Sequence, residues 1–108
     1  MDSPDKTNAR SPEATAKLHA EFLTAVELLN REEVYRLLRL GVNINTQNKA
    51  GDSPLHQCIK DGKLDSVKLL VDFGADITLP NRDGWSPMHV ATFLGYRDMM
   101  LYLLMNGR

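Results

Sequence analysis

The sequence predicts an all-α solenoid of three stacked helix-turn-helix repeats carrying β-turn fingers, and three observations predict it. The first is an internal period. Gly51-Asp52-Ser53-Pro54-Leu55-His56 recurs thirty-three residues on as Gly84-Trp85-Ser86-Pro87-Met88-His89. The same shift carries Gly62 onto Gly95, Asp65 onto Asp98, Leu70 onto Leu103 and Gly74 onto Gly107. Upstream it carries Val34 onto Val67, Leu37 onto Leu70, Gly41 onto Gly74, Ile44 onto Ile77 and Asn48 onto Asn81. A fixed period in this range marks a stack of identical supersecondary units. The second observation is punctuation: Ser-Pro opens each full unit and glycine closes its helices. The third is composition. A chain of 108 residues with 43% apolar and 25% charged residues suits one globular domain.

The elements come in order along the chain. Residues 1–17 contain Ser3-Pro4, Ser11-Pro12 and no large apolar side chain before Leu18 apart from Met1, so they read as a disordered tail. The folded domain is expected over 18–108, with repeats at about 18–50, 51–83 and 84–108. The first copy keeps the apolar pattern (Phe22, Ala25, Val26, Leu29, Val34, Leu37, Leu38) but lacks Ser-Pro-Leu-His, as a capping terminal repeat does. In the second and third copies Ser53 and Ser86 are N-caps, and Pro54 and Pro87 take the first helical position, where a missing N–H costs nothing. The first helix of each then runs to Gly62 or Gly95. A second helix carries Val67, Leu69, Leu70 and Val71 and ends at Phe73-Gly74. Ala75 to Asp83, with Pro80 and Asp83-Gly84, reads as a β-turn finger leading into the next repeat.

Several function classes drop out. Thirteen Lys+Arg against fourteen Asp+Glu give a net charge of -1, without the basic excess of a nucleic-acid binder. One cysteine allows no internal disulfide and no cysteine-based zinc site, which fits a reducing compartment. The N-terminus has no apolar signal core, and no run of 18 apolar residues could span a membrane, so a soluble intracellular protein is expected. His56 and His89 stand in equivalent places and His19 apart from them; a helical metal pair would need a spacing of three or four. These histidines are expected to bond loop backbone. Cys58 aligns with Ala91 and reads as a small buried thiol. No phosphate loop or nucleophile elbow occurs, and no enzyme, metal or cofactor is expected.

Differences between the copies point to a binding surface. Asp52 becomes Trp85, Lys60 becomes Phe93, Asp61 becomes Leu94 and Lys63 becomes Tyr96, all expected at the finger tip or the end of the first helix. In the second helix Ser66 becomes Met99, Lys68 becomes Leu101 and Asp72 becomes Met105. Leu101 and Met105, four apart, share a helix face. Met100, Leu103 and Leu104 align with core positions and are expected to pack inside. The last repeat of a free-standing stack should be polar outside; this one is apolar and stops at Asn106-Gly107-Arg108, with no capping helix expected behind it. An apolar patch of this kind marks a partner surface. The expected contact set is Trp85, Met88, Thr92, Phe93, Leu94, Tyr96, Met99, Leu101 and Met105, with Trp85 as the anchor.

The period, with Ser53-Pro54-Leu55-His56 and Ser86-Pro87-Met88-His89-Val90-Ala91, resembles the ankyrin repeat, whose signature is Thr-Pro-Leu-His-x-Ala. A narrower resemblance lies in Leu55-His56-Gln57, Asp61-Gly62, Val67-Lys68-Leu69-Leu70-Val71, Phe73-Gly74-Ala75-Asp76-Ile77 and Asn81-Arg82-Asp83-Gly84-Trp85-Ser86. It continues through His89, Ala91, Phe93, Gly95, Asp98 and Leu101-Tyr102-Leu103, and together these look like the Notch-regulated ankyrin repeat protein family. The resemblance implies a feedback attenuator of Notch signalling in the nucleus. It also implies binding to the Notch intracellular domain with the CSL-type DNA-binding factor, by adding to the Notch ankyrin stack. By position it makes Trp85 and the residues around Thr92 the partner contacts. The ankyrin portion of phosphatase-targeting subunits also resembles Leu55-His56-Gln57 and Gly84-Trp85-Ser86-Pro87, but no basic-Val-x-Phe docking motif occurs in residues 1–50.

Overall fold

A computed structural model of the chain describes residues 12–106; the first part of the expected tail, with Ser3 and Ser11, and the final Gly107 and Arg108 lie outside the described residues. Among the described residues six helices succeed one another: α1 (Pro12–Glu27), α2 (Arg31–Arg39), α3 (Pro54–Lys60), α4 (Leu64–Asp72), α5 (Pro87–Leu94) and α6 (Arg97–Asn106). No strand occurs among the described residues. The helices pair as α1 with α2, α3 with α4 and α5 with α6, and the three pairs stack side by side. This is the repeat solenoid that the period predicts.

The punctuation works as its chemistry requires. Ser53 Oγ accepts the His56 backbone N–H at 3.3 Å, while His56 Nδ1 accepts the Ser53 N–H at 3.0 Å. Ser86 and His89 repeat the box at 3.3 and 3.1 Å, so each short helix has two of its orphan donors satisfied at once. Gly62 and Gly95 come after α3 and α5 in the left-handed region, at φ 71° and 75°. The equivalent place after α1 is held by Leu29 at φ 59°, a conformation that strains a residue with a Cβ.

α1 runs further back than its counterparts. Where they have Ser-Pro, it has Ala20-Glu21, which neither caps nor stops a helix. Residues 12–17, expected in the tail, therefore form its first turns, with Ala14, Ala16 and Lys17 as good helix formers.

Equivalent positions supply the core. Leu37, Leu70 and Leu103 are fully buried, as are Val34, Val67, Phe22, Leu55, Val26 and Ile59. Hydrogen bonds cross each junction: Ser66 Oγ donates to the Val26 carbonyl at 3.1 Å, and the Arg82 N–H donates to the Ala50 carbonyl at 3.0 Å. No helix among the described residues is long and apolar enough to cross a membrane.

Candidate protein-interaction surface

The fingers are built by asparagine. Asn81 Oδ1 accepts the N–H groups of Asp83 and Trp85 at 3.0 and 2.9 Å, and the Asn81 N–H donates to the Trp85 carbonyl at 2.9 Å. Asn48 closes the finger before it in the same way, with Ala50 and Asp52. Trp85 thus divides its labour. Its main chain completes the turn and accepts a hydrogen bond from His56 Nε2 at 2.9 Å, while its side chain is 36% exposed.

That side chain meets Phe93 edge to face, with ring centroids 5.0 Å apart and planes at 88°. Phe93 itself is 73% exposed. The two rings form a ridge with a hollow on each side. One hollow, about 360 Å³, lies between the second and third repeats, over Lys60, Asn81, Val90 and Leu94. The other, about 470 Å³, opens beyond the third repeat over Asp83, Gly84, His89 and Thr92.

Thr92 marks the open end. It occupies the position of Val26 and Ile59, both fully buried beneath the next repeat, yet it is exposed. Its hydroxyl bonds the Met88 carbonyl at 2.8 Å. Leu94, Leu101 and Met105 are exposed as expected, Met105 by 81%. The structure therefore brings Trp85, Thr92 and Phe93 together at the hollow beyond the third repeat, while Leu94 lines the hollow towards the second repeat and Leu101 and Met105 are exposed on α6.

Three expected contacts sit elsewhere. Met99 is only 3% exposed, because its position faces the preceding repeat, as that of Ser66 does when it bonds Val26. Met88 is half-buried against the core. Tyr96 is half-buried and reaches back to the second repeat, its hydroxyl 3.5 Å from where a Cβ on Gly62 would stand. Leu104, expected inside, is instead 66% exposed.

Asp52 also differs from the rim residue that the alignment of repeats suggests. It is 3% exposed, held by Lys60 Nζ at 2.6 Å and Asn81 Nδ2 at 3.0 Å. Burial opposes its charge, but these hydrogen bonds more than offset that and hold its carboxyl below the usual range. The finger carrying Trp85 is thereby locked onto the second repeat.

The thiol of Cys58 is free and buried. Burial, with Glu27 and Asp61 nearby, pushes Cys58 up to about 12, so it stays protonated and a poor nucleophile at neutral pH. His19 bonds Thr46 Oγ1 at 3.1 Å, and His56 and His89 serve the caps. Among the described residues no group of three or more His, Cys, Asp or Glu gathers around a common point.

Comparison with known proteins agrees with this architecture. A family model of ankyrin repeats in three copies matches residues 22–108. The Notch-regulated ankyrin repeat-containing protein A of Danio rerio is 44% identical over 91 residues, covering 81% of each chain. The Homo sapiens Notch-regulated ankyrin repeat-containing protein is 45% identical over 91 residues, 81% of this chain and 80% of its own length. This chain belongs to the family of Notch-regulated ankyrin repeat proteins. Protein phosphatase 1 regulatory subunit 27 of Mus musculus is more distant, 38% identical over 87 residues that make up 56% of its length. The ankyrin family model covers both regular repeats and most of the irregular first one.

Proposed function

We propose that this protein is a non-enzymatic adaptor that attenuates Notch signalling. In this reading it binds the ankyrin repeats of the Notch intracellular domain together with the CSL-type transcription factor, in the nucleus, and extends the Notch ankyrin stack. The observation that carries the proposal is the open apolar end of the third repeat, where Trp85 and Phe93 form an exposed ridge beside Thr92. An exposed aromatic anchor within such a patch is what a protein partner uses. Membership in the family of Notch-regulated ankyrin repeat proteins supports the Notch pathway as its setting. The near-neutral charge supports recruitment to DNA through proteins already bound there, not by direct contact.

The test is binding to purified Notch ankyrin domain, with and without the DNA-bound CSL-type factor. Trp85→Ala removes the ring but none of the main-chain bonds of the finger, so the protein should stay folded. Affinity should fall by about 30-fold, as when a central anchor is truncated. Thr92→Trp should block docking by bulk. If Trp85→Ala binds as well as wild type while its circular dichroism is unchanged, the third repeat is not the docking end.

A further inference from the structure

Repeats two and three present the same surface on the side away from the N-terminus, once filled by the next finger and once open. In the filled case His56 Nδ1 accepts the Ser53 N–H at 3.0 Å, which leaves the ring proton on Nε2, and Nε2 donates to the Trp85 carbonyl at 2.9 Å. Beside it the Ala50 carbonyl accepts the Arg82 N–H at 3.0 Å. Gly51, at φ 80°, allows this approach: a Cβ there would stand 2.5 Å from the Arg82 nitrogen.

The third repeat duplicates each feature. His89 Nδ1 accepts the Ser86 N–H at 3.1 Å, so the same proton sits on Nε2, but the ring is exposed and Nε2 meets no partner among the described residues. The Asp83 carbonyl, equivalent to that of Ala50, accepts no hydrogen bond from the described residues. Gly84 keeps φ 83° with nothing within 4 Å of its Cβ position.

We infer that Asp83, Gly84 and His89 form an unfilled seat for an incoming β-turn, in which His89 donates Nε2–H to a backbone carbonyl of the partner. The Asp83 carbonyl accepts an N–H from three residues earlier in that turn, the spacing that separates Arg82 from Trp85. The inference rests on the docking end proposed above and names the group that reads the partner there. The occupant is a turn of a different protein. A second copy offers none from its own front end, because the residues equivalent to the Asn48–Asp52 finger lie within α1.

The variants that test it spare the fold. His89→Gln and His89→Glu keep a Ser-x-x-Gln or Ser-x-x-Glu capping box while removing the ring donor. Gly84→Asn tolerates the left-handed backbone and places a side chain in the seat. With the Notch ankyrin domain as probe, His89→Gln should weaken binding about tenfold at an unchanged melting temperature. His89→Glu, which sets a carboxylate against a carbonyl, should weaken it further, and Gly84→Asn should abolish it. In the complex, the Nε2–H of His89 should become protected from solvent exchange in imidazole ¹H–¹⁵N spectra. If Trp85→Ala weakens binding but folded His89→Gln does not, and the Nε2–H stays unprotected, the end is used and the seat is not. Wild-type binding by Trp85→Ala overturns both readings. A wild-type dimer that His89→Gln converts to monomer would make the occupant a second copy, against the proposal.

Discussion

Gly51 and Gly84 occupy the same place in the two fingers and share one backbone conformation, φ 80° and 83°, so alanine at each position separates strain from crowding. At Gly84 a Cβ meets nothing within 4 Å, and the cost is that of the left-handed region alone, roughly 1–2 kcal/mol. At Gly51 the Cβ would lie 2.5 Å from the Arg82 nitrogen and 3.0 Å from the Asn81 carbonyl carbon. Both are main-chain atoms of the next finger, which cannot swing aside as a side chain does. Overpacking adds about 1–3 kcal/mol, and pushing the finger away weakens the Arg82–Ala50 hydrogen bond, worth about 1 kcal/mol. Gly51→Ala should therefore cost about 3–6 kcal/mol and Gly84→Ala about 1–2 kcal/mol. The restriction that alanine imposes on the unfolded chain is common to both and cancels in the difference. Urea titration followed by circular dichroism gives the two values if the slopes agree. Equal destabilisation, or a larger effect at Gly84, would show that the fingers do not approach each other as described.

Three further outcomes are expected. Gly74→Val should destabilise by about 1–2 kcal/mol, because φ 96° is strained for a β-branched residue even though the space is open; an unchanged melting temperature would argue against that turn. Asp52→Ala should cost about 1–3 kcal/mol at neutral pH by leaving Asn81 without its buried partner, as urea denaturation will show. Since the folded carboxyl of Asp52 titrates below its unfolded value near ~3.9, its contribution is present above that pH and lost as pH falls through the folded value; the variant should lose less stability than wild type on acidification. Native Cys58 should resist alkylation at mildly alkaline pH and react only on unfolding, so rapid labelling without denaturant would contradict its burial and raised pKa.

Much of the architecture is legible in the residues themselves, because its causes are local. Ser53-Pro54 and Ser86-Pro87 start helices through their own capping chemistry, and Gly62, Gly74 and Gly95 end them by taking conformations that other residues resist. The period of thirty-three then makes a stack the way to bury each unit's apolar face. The start of α1 is less legible, since only the absence of a stop signal at Ala20-Glu21 lets that helix run back to Pro12.

What the tertiary structure decided is direction along the stack. Alignment of repeats shows which positions are equivalent but not whether each faces the unit before it or the unit after it. Met99 looks backward, and so an apparent surface methionine is buried. Thr92 looks forward, and the place where Val26 and Ile59 are covered is open in the third repeat. Asp52 reads as a rim charge until the next finger folds over it and supplies Asn81. Leu104 aligns with a core position yet is exposed, because burial depends on which neighbour a position meets, and a repeat's own residues do not specify its neighbour.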